Sequence, residues 1–198
     1  MSQLDFTSPG SRQYTSLDEL FGVMRRMTDD PLANAGTNIV ISRGNPNAKL
    51  LIIGEAPGPE ENIQGKPFVG RAGQMLDKVL QSVDFDPQQD VYITNSVFRL
   101  PPGEDGKAFR KPTDAETDFY RPFVLEIIRL IDPKIMLLTG NVACYSILRK
   151  TGITSLRGLI TNLEEAKPNQ VVEIKYVHLQ YANVLEITGL IDSVLSGN

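Results

Sequence analysis

Apolar and polar positions fall into blocks along the chain, and the spacing within each block names the element it builds. After a polar lead-in containing Pro9 and Gly10, Ser16 and Glu19 stand at capping-box spacing. Leu17, Leu20, Phe21 and Met24 follow at helical intervals, which predicts a first amphipathic helix of about three turns. Asp29, Asp30 and Pro31 stop it, and the polar stretch through Asn47 leaves one short strand candidate at Asn38 to Ser42. Three apolar runs then read as strands, Leu50 to Ile53, Val91 to Thr94 and Ile135 to Leu138, and Val171 to Val177 is expected as a final strand. Helical spacing returns between them, first at Met75, Leu76, Val79, Leu80 and Val83. A second capping box, Thr113 with Glu116, opens a helix carrying Phe119, Phe123, Leu125, Ile127, Ile128 and Leu130. Asn141 to Leu148 is predicted as another helix, and a weak one follows near Val184 to Leu195.

Strands that lack a polar face are covered on both sides, and strand–helix alternation brings strands together in parallel. The expected fold class is therefore α/β: three α/β/α layers around a central, mostly parallel four-stranded sheet. A length of 198 residues suits one domain spanning 1–198, with residues 1–15 as a flexible tail.

Composition narrows the function classes. No apolar run reaches the ~20 residues that span a bilayer, and the N-terminus lacks a basic stretch followed by an apolar one, so a cytoplasmic protein is expected, with no membrane partner. Twenty Lys and Arg against 24 Asp and Glu give a net charge of -4. That balance argues against electrostatic coating of nucleic acid but leaves room for an enzyme touching a few phosphates. The single cysteine, Cys144, excludes an internal disulfide framework and reads as a small buried hydrophobe in the GNVACYSIL helix. With no apolar heptad in view, a monomer is expected.

In open α/β sheets, ligands bind beyond the carboxyl ends of the strands. The first predicted strand runs into GEAPGPEENIQGKPFVG, the second into Asn95 and the last into His178, so these positions converge on one edge of the sheet. Gly54, Pro57, Gly58, Gly65 and Gly70 allow close backbone approach, and Glu55, Glu60, Glu61 and Phe68 lie among them. Neither the dinucleotide fingerprint nor the P-loop spacing is present, and a plain glycine-rich connector stays open at this point.

The segments GEAPGPEENIQGKPFVGRAGQML, VYITNSVFRLPP and YRPFVLEIIRLIDPKIMLLTGNVA, with a late histidine-containing loop, resemble the family 4 uracil-DNA glycosylases in matching order over roughly Asn38 to Tyr181. The resemblance implies the three-layer uracil-DNA glycosylase fold and removal of a flipped-out uracil from DNA; because the cluster ligands of the family are replaced here, no metal or other cofactor is expected. Breaking the bond between C1′ and the base builds positive charge on the sugar and negative charge on the base, and both need stabilising. A stacked base must also be extruded and held. By motif position, Glu55 is similar to the acidic residue that stabilises the sugar cation and orients water. Phe68 resembles the stacking aromatic, and Asn95 the amide that donates to O4 and accepts from N3–H. Ala56 joins these two at the base, and His178 resembles the donor to O2. Gly58, Gln180 and Tyr181 fall at DNA-contacting positions, Leu179 or Tyr181 serving as the wedge that fills the gap. A carboxylate capping a helix, a core phenylalanine, a turn asparagine and a surface histidine are the ordinary alternatives for Glu55, Phe68, Asn95 and His178.

Two departures qualify the match. The family's four cysteines hold an iron–sulfur cluster, and the corresponding positions here are Met27, Asp30, Arg99 and Tyr120. No cluster is expected, and Asp30, Arg99 and Tyr120 are candidates for a polar substitute. The family's His-Pro-Ser is His178-Leu179-Gln180, in which Gln180 can still donate to a phosphate. A related branch traps uracil through a histidine after the Asn motif, but GEDGKAFRKP contains none, so covalent trapping is not expected. A homologue that binds nucleobase, damaged DNA or a protein without cleaving, and a glycosylase for another deaminated base, remain the alternative functions.

Overall fold

The computed structural model describes residues 13–103 and 109–152, with the backbone of 161–162 and 173–177. Its centre is β2 (Leu50–Gly54), buried at all positions, between β3 (Val91–Asn95) and β4 (Ile135–Thr139), both parallel to it. Beyond β4 lies β6 (Glu173–Val177), also parallel. These are the four expected strands. Two short antiparallel strands, β1 (Ser42–Gly44) beside β3 and β5 (Thr161–Asn162) beside β6, widen the sheet to six in the order β1-β3-β2-β4-β6-β5.

Side-chain alternation divides the core between the two sheet faces. Leu51, Ile53, Tyr92, Met136 and Leu138 pack under α1 (Leu17–Met24), α4 (Asp114–Ile131) and α5 (Asn141–Leu148). Leu50, Ile52, Ile93 and Leu137 face the other way, against Leu76, Val79 and Leu80 of α3 (Arg71–Gln81). The three layers follow from that division. Cys144 lies fully buried on the α5 side, and its thiol is pushed up to about 12 by burial, as an inert small hydrophobe should be. No helix among the described residues is long and apolar enough to cross a membrane.

The Thr113–Glu116 capping box forms in full, whereas the one at Ser16 forms by half. Ser16 Oγ accepts from Glu19 N, but the Glu19 carboxylate turns back to Thr15 N and Oγ1. The first helix is also shorter than expected, ending at Met24, because Arg26 N bonds Val23 O and tightens the last turn. The strand expected at Asn38 to Ser42 begins only at Ser42, since Val40 N is already taken by Phe98 O beyond the end of β3. One helix escapes the apolar pattern: α2 (Pro59–Gln64), whose only large apolar residue, Ile63, faces solvent. Its signals are punctuation instead, Pro59 at the first helical position and Gly65 at a φ of 68° after the last. The weak helix expected near Val184 to Leu195 and residues 1–12 of the expected 1–15 tail lie outside the described residues, while Tyr14, inside that tail, is tied to α4, its N donating to Glu126 Oε1 and its O accepting from Arg129 Nη2.

Candidate active site

The carboxyl ends of β2, β3 and β4 share a cleft of about 380 Å³, a volume suited to a small ligand such as a base. Glu55, Ala56, Gly58, Phe68 and Asn95 all line it. The backbone welds its floor together, because Ser96 N and Oγ both donate to Gly54 O, at 2.9 and 2.8 Å, and Val97 N donates to Glu55 O at 3.0 Å. The first residues of the two loops therefore move as one.

Asn95 ends β3 directly opposite Gly54 and is only 2% exposed, yet its side-chain amide makes no hydrogen bond among the described residues. Buried amides are normally satisfied, so an unpartnered one facing a cleft is poised for a ligand. Gly54 makes this possible: a Cβ there would lie 2.4 Å from Asn95 Oδ1 and 2.5 Å from two carbons of the Phe68 ring. Only a glycine lets the ring and the amide close on the same point.

Phe68 is held at a φ of 54°, a left-handed conformation that costs a non-glycine residue about 1–2 kcal/mol. The surroundings enforce it. Glu61 Oε1 accepts from Val69 N at 3.0 Å and Gly70 N at 2.7 Å, while Oε2 accepts from Gly58 N at 3.1 Å. One carboxylate thus cross-links the start and end of the glycine-rich loop. Gly73 is the other support, since a Cβ there would overlap Phe68 O at 1.9 Å.

Burial raises the Glu55 carboxyl above its ordinary value of 4.5, and the positive charge of Lys111 pulls the other way. Thr139 closes the cleft from β4, its Oγ1 donating to Ile53 O at 3.0 Å and so leaving lone pairs free to accept. Thr139 ends its strand just as Asn95 does and carries the same strand-end signal in the sequence, whereas no short-range pattern announces the Glu61 cross-link. His178, Gln180 and Tyr181 lie outside the described residues. The last described residue before them, Val177, pairs with Thr139 at the edge of the cleft strands.

The four positions at which the resemblance implies cluster ligands do not fit an iron–sulfur group, which needs free thiolates. Asp30, its side chain fully buried, accepts from Arg99 Nε at 2.6 Å, from Leu32 N at 2.9 Å and from the Tyr120 hydroxyl. Arg99 also donates to Thr37 O, and the rings of Phe98 and Phe119 meet Tyr120 edge-on at 5.5 and 5.1 Å. Met27 packs against the core beside them. The Asp30, Arg99 and Tyr120 side chains are thus all engaged within the protein, whereas the buried Thr37 hydroxyl has no partner among the described residues. Among the described residues no three His, Cys, Asp or Glu side chains group as metal ligands.

A family model described as the uracil DNA glycosylase superfamily matches residues 41–186. A Thermotoga maritima protein named type-4 uracil-DNA glycosylase is 35% identical over 137 residues, 68% of each chain. An Archaeoglobus fulgidus protein of the same name is 31% identical over 154 residues, 75% of this chain and 74% of its own. A DNA polymerase of Bacillus phage SP01 is 32% identical over 137 residues, 66% of this chain but 14% of its own.

Proposed function

Since the chain belongs to the uracil-DNA glycosylase superfamily, we propose that it hydrolyses the N-glycosidic bond of a uracil flipped out of DNA, the first step of base excision repair. In this reading the base enters the cleft and stacks on Phe68. Asn95 donates to O4 and accepts from N3–H, and Ala56 borders the base. The C1′–N1 bond breaks, its electrons go to the uracil ring, the oxygen of water bonds C1′, and the proton that this water gives up goes to the uracil anion. The products are free uracil and an abasic deoxyribose. Glu55 works ionised, stabilising the sugar cation and orienting the water. His178 donates toward O2 as negative charge gathers there, while Gly58, Gln180 and Tyr181 meet the DNA strand. No metal or redox group enters the scheme. The same reading takes residues 1–198 as a single domain that acts as a cytoplasmic monomer.

The observation that carries it is the Asn95 side-chain amide, without a hydrogen-bond partner among the described residues, set beside the Phe68 ring across Gly54 in a cleft that also contains Glu55. Single-stranded and duplex uracil oligonucleotides incubated with the protein and then treated with alkali should break at uracil. Intact strands in both cases at high protein concentration would overturn the proposal, and affinity for abasic or uracil DNA without cleavage would point to a binding protein. A broader base range has support in one detail: no neighbour among the described residues fixes the orientation of the Asn95 amide, which can turn to suit another base edge. Oligonucleotides bearing hypoxanthine or xanthine decide that question.

A further inference from the structure

The left-handed Phe68 has an anchor from outside its own loop. Arg43 on β1 lies directly opposite Ile93 of β3, so its side chain emerges on the sheet face covered by α3. There Nε donates to Pro67 O at 2.9 Å and Nη2 to Phe68 O at 3.1 Å, while Nη2 also meets Asp77 Oδ1 of α3 at 2.6 Å. The Arg43 side chain is only 6% exposed, against 31% for Asp77. A cation this buried is retained only where its donors are well used, and these hold the two consecutive carbonyls that set the peptide planes on either side of Phe68. An unfavourable φ persists where neighbours over-determine it. Glu61 grips the amides that follow Phe68, and Arg43 grips the carbonyls at and before it.

We propose that Arg43, braced by Asp77, is a positioning residue that aims the Phe68 ring across Gly54 and so sets how tightly the cleft holds a flipped base. The proposal rests on the stacking role given to Phe68 above. It assigns Arg43 to base capture and leaves bond breaking to the groups that face the sugar. A lysine offers a compact ammonium in place of the planar fork and should replace it only in part.

The test combines kinetics with a signal that does not depend on activity. In single-stranded uracil excision, R43Q should raise KM about tenfold and change kcat by less than about threefold, the pattern of lost binding shared by ground state and transition state. R43K should recover part of the loss. Combined with F68L, R43Q should add less than about twofold, because the ring it aims is gone. A full R43Q effect surviving in the F68L background, or a loss confined to kcat, would overturn the proposal. Fluorophenylalanine labelling gives signals for the eight phenylalanines, and F68L identifies that of Phe68. R43Q should shift or broaden this signal more than the other seven, and D77N, which keeps the cation, should do so less strongly. An unmoved Phe68 signal in both variants would refute the clamp. If the wild type released no uracil, the glycosylase reading would fall, and the fluorine signal would still decide on Arg43.

Discussion

Replacing Asp30 by Ala is expected to be among the most damaging single changes outside the cleft. The substitution strips Arg99, whose side chain is 13% exposed, of its carboxylate and leaves a mostly buried cation. Breaking a buried pair from one side costs about 3–5 kcal/mol. The same change orphans the Tyr120 hydroxyl and Leu32 N, each with a penalty of about 1–3 kcal/mol where water cannot reach. The penalties share one relaxation and do not sum, so about 4 kcal/mol is the working figure. For a chain of this size that corresponds to a fall in Tm of roughly 8–16 °C. Y120F, which removes one hydroxyl and its bond, should cost only about 1–2 kcal/mol. D30A/R99A should lose less than the two single changes added together, because both charges leave at once. Thermal unfolding followed by circular dichroism measures all four variants. D30A and D30A/R99A within about 2 °C of the wild type would refute the view that this network secures the region.

Other expectations concern the cleft. E55Q should lower uracil excision by about 10²–10³-fold, the range for loss of a group aimed at transition-state charge. Its stability effect has the opposite sign: the folded carboxyl titrates above 4.5, so stability falls as pH rises from that value through the folded one. E55Q should therefore melt higher than the wild type at pH 7, with the advantage fading by pH 4; equal melting at both would count against burial of the charge. K111Q should move the acid limb of the kcat/KM profile further upward, because the charge removed is the one that lowers the Glu55 value; an unchanged limb would mean another group controls it. G54A should cut kcat/KM by at least about a hundredfold, since the new methyl would meet both the Asn95 amide and the Phe68 ring at 2.5 Å or less; near-normal kinetics would show that ring and amide need no such proximity.

Features governed by neighbours in sequence were legible from the chain alone. The three buried strands β2, β3 and β4, the Thr113–Glu116 box and the α5 bounds Asn141–Leu148 follow from apolar runs and cap spacing. In the site, Glu55 and Asn95 were legible as residues leaving strand ends. What escaped depends on contacts between distant segments. Arg43 lies 24 positions before Pro67, and nothing in SRGNP shows that it will reach that carbonyl. The extent of β1 escaped for a similar reason, being set by where β3 stops offering ladder partners. The α2 helix was hidden because it turns no apolar stripe toward the core, so periodicity had nothing to register.

The polar network and the cleft are opposite ends of one short stretch of chain. Asn95 presents its amide to the cleft, Ser96 and Val97 bond Gly54 and Glu55, Phe98 packs on Tyr120, and Arg99 reaches Asp30. Five successive residues thus tie the cleft floor to the positions where the resemblance implies cysteines. A loop bonded at only one end would let the Asn95 amide drift relative to Phe68, whereas anchoring at Asp30 fixes the other end without a metal. The consequence is directional. Changes at Asp30 or Arg99 should reach excision through the position of Asn95, while changes at Glu55 or Asn95 should leave the network's contribution to folding intact, because none of its hydrogen bonds passes through a cleft side chain.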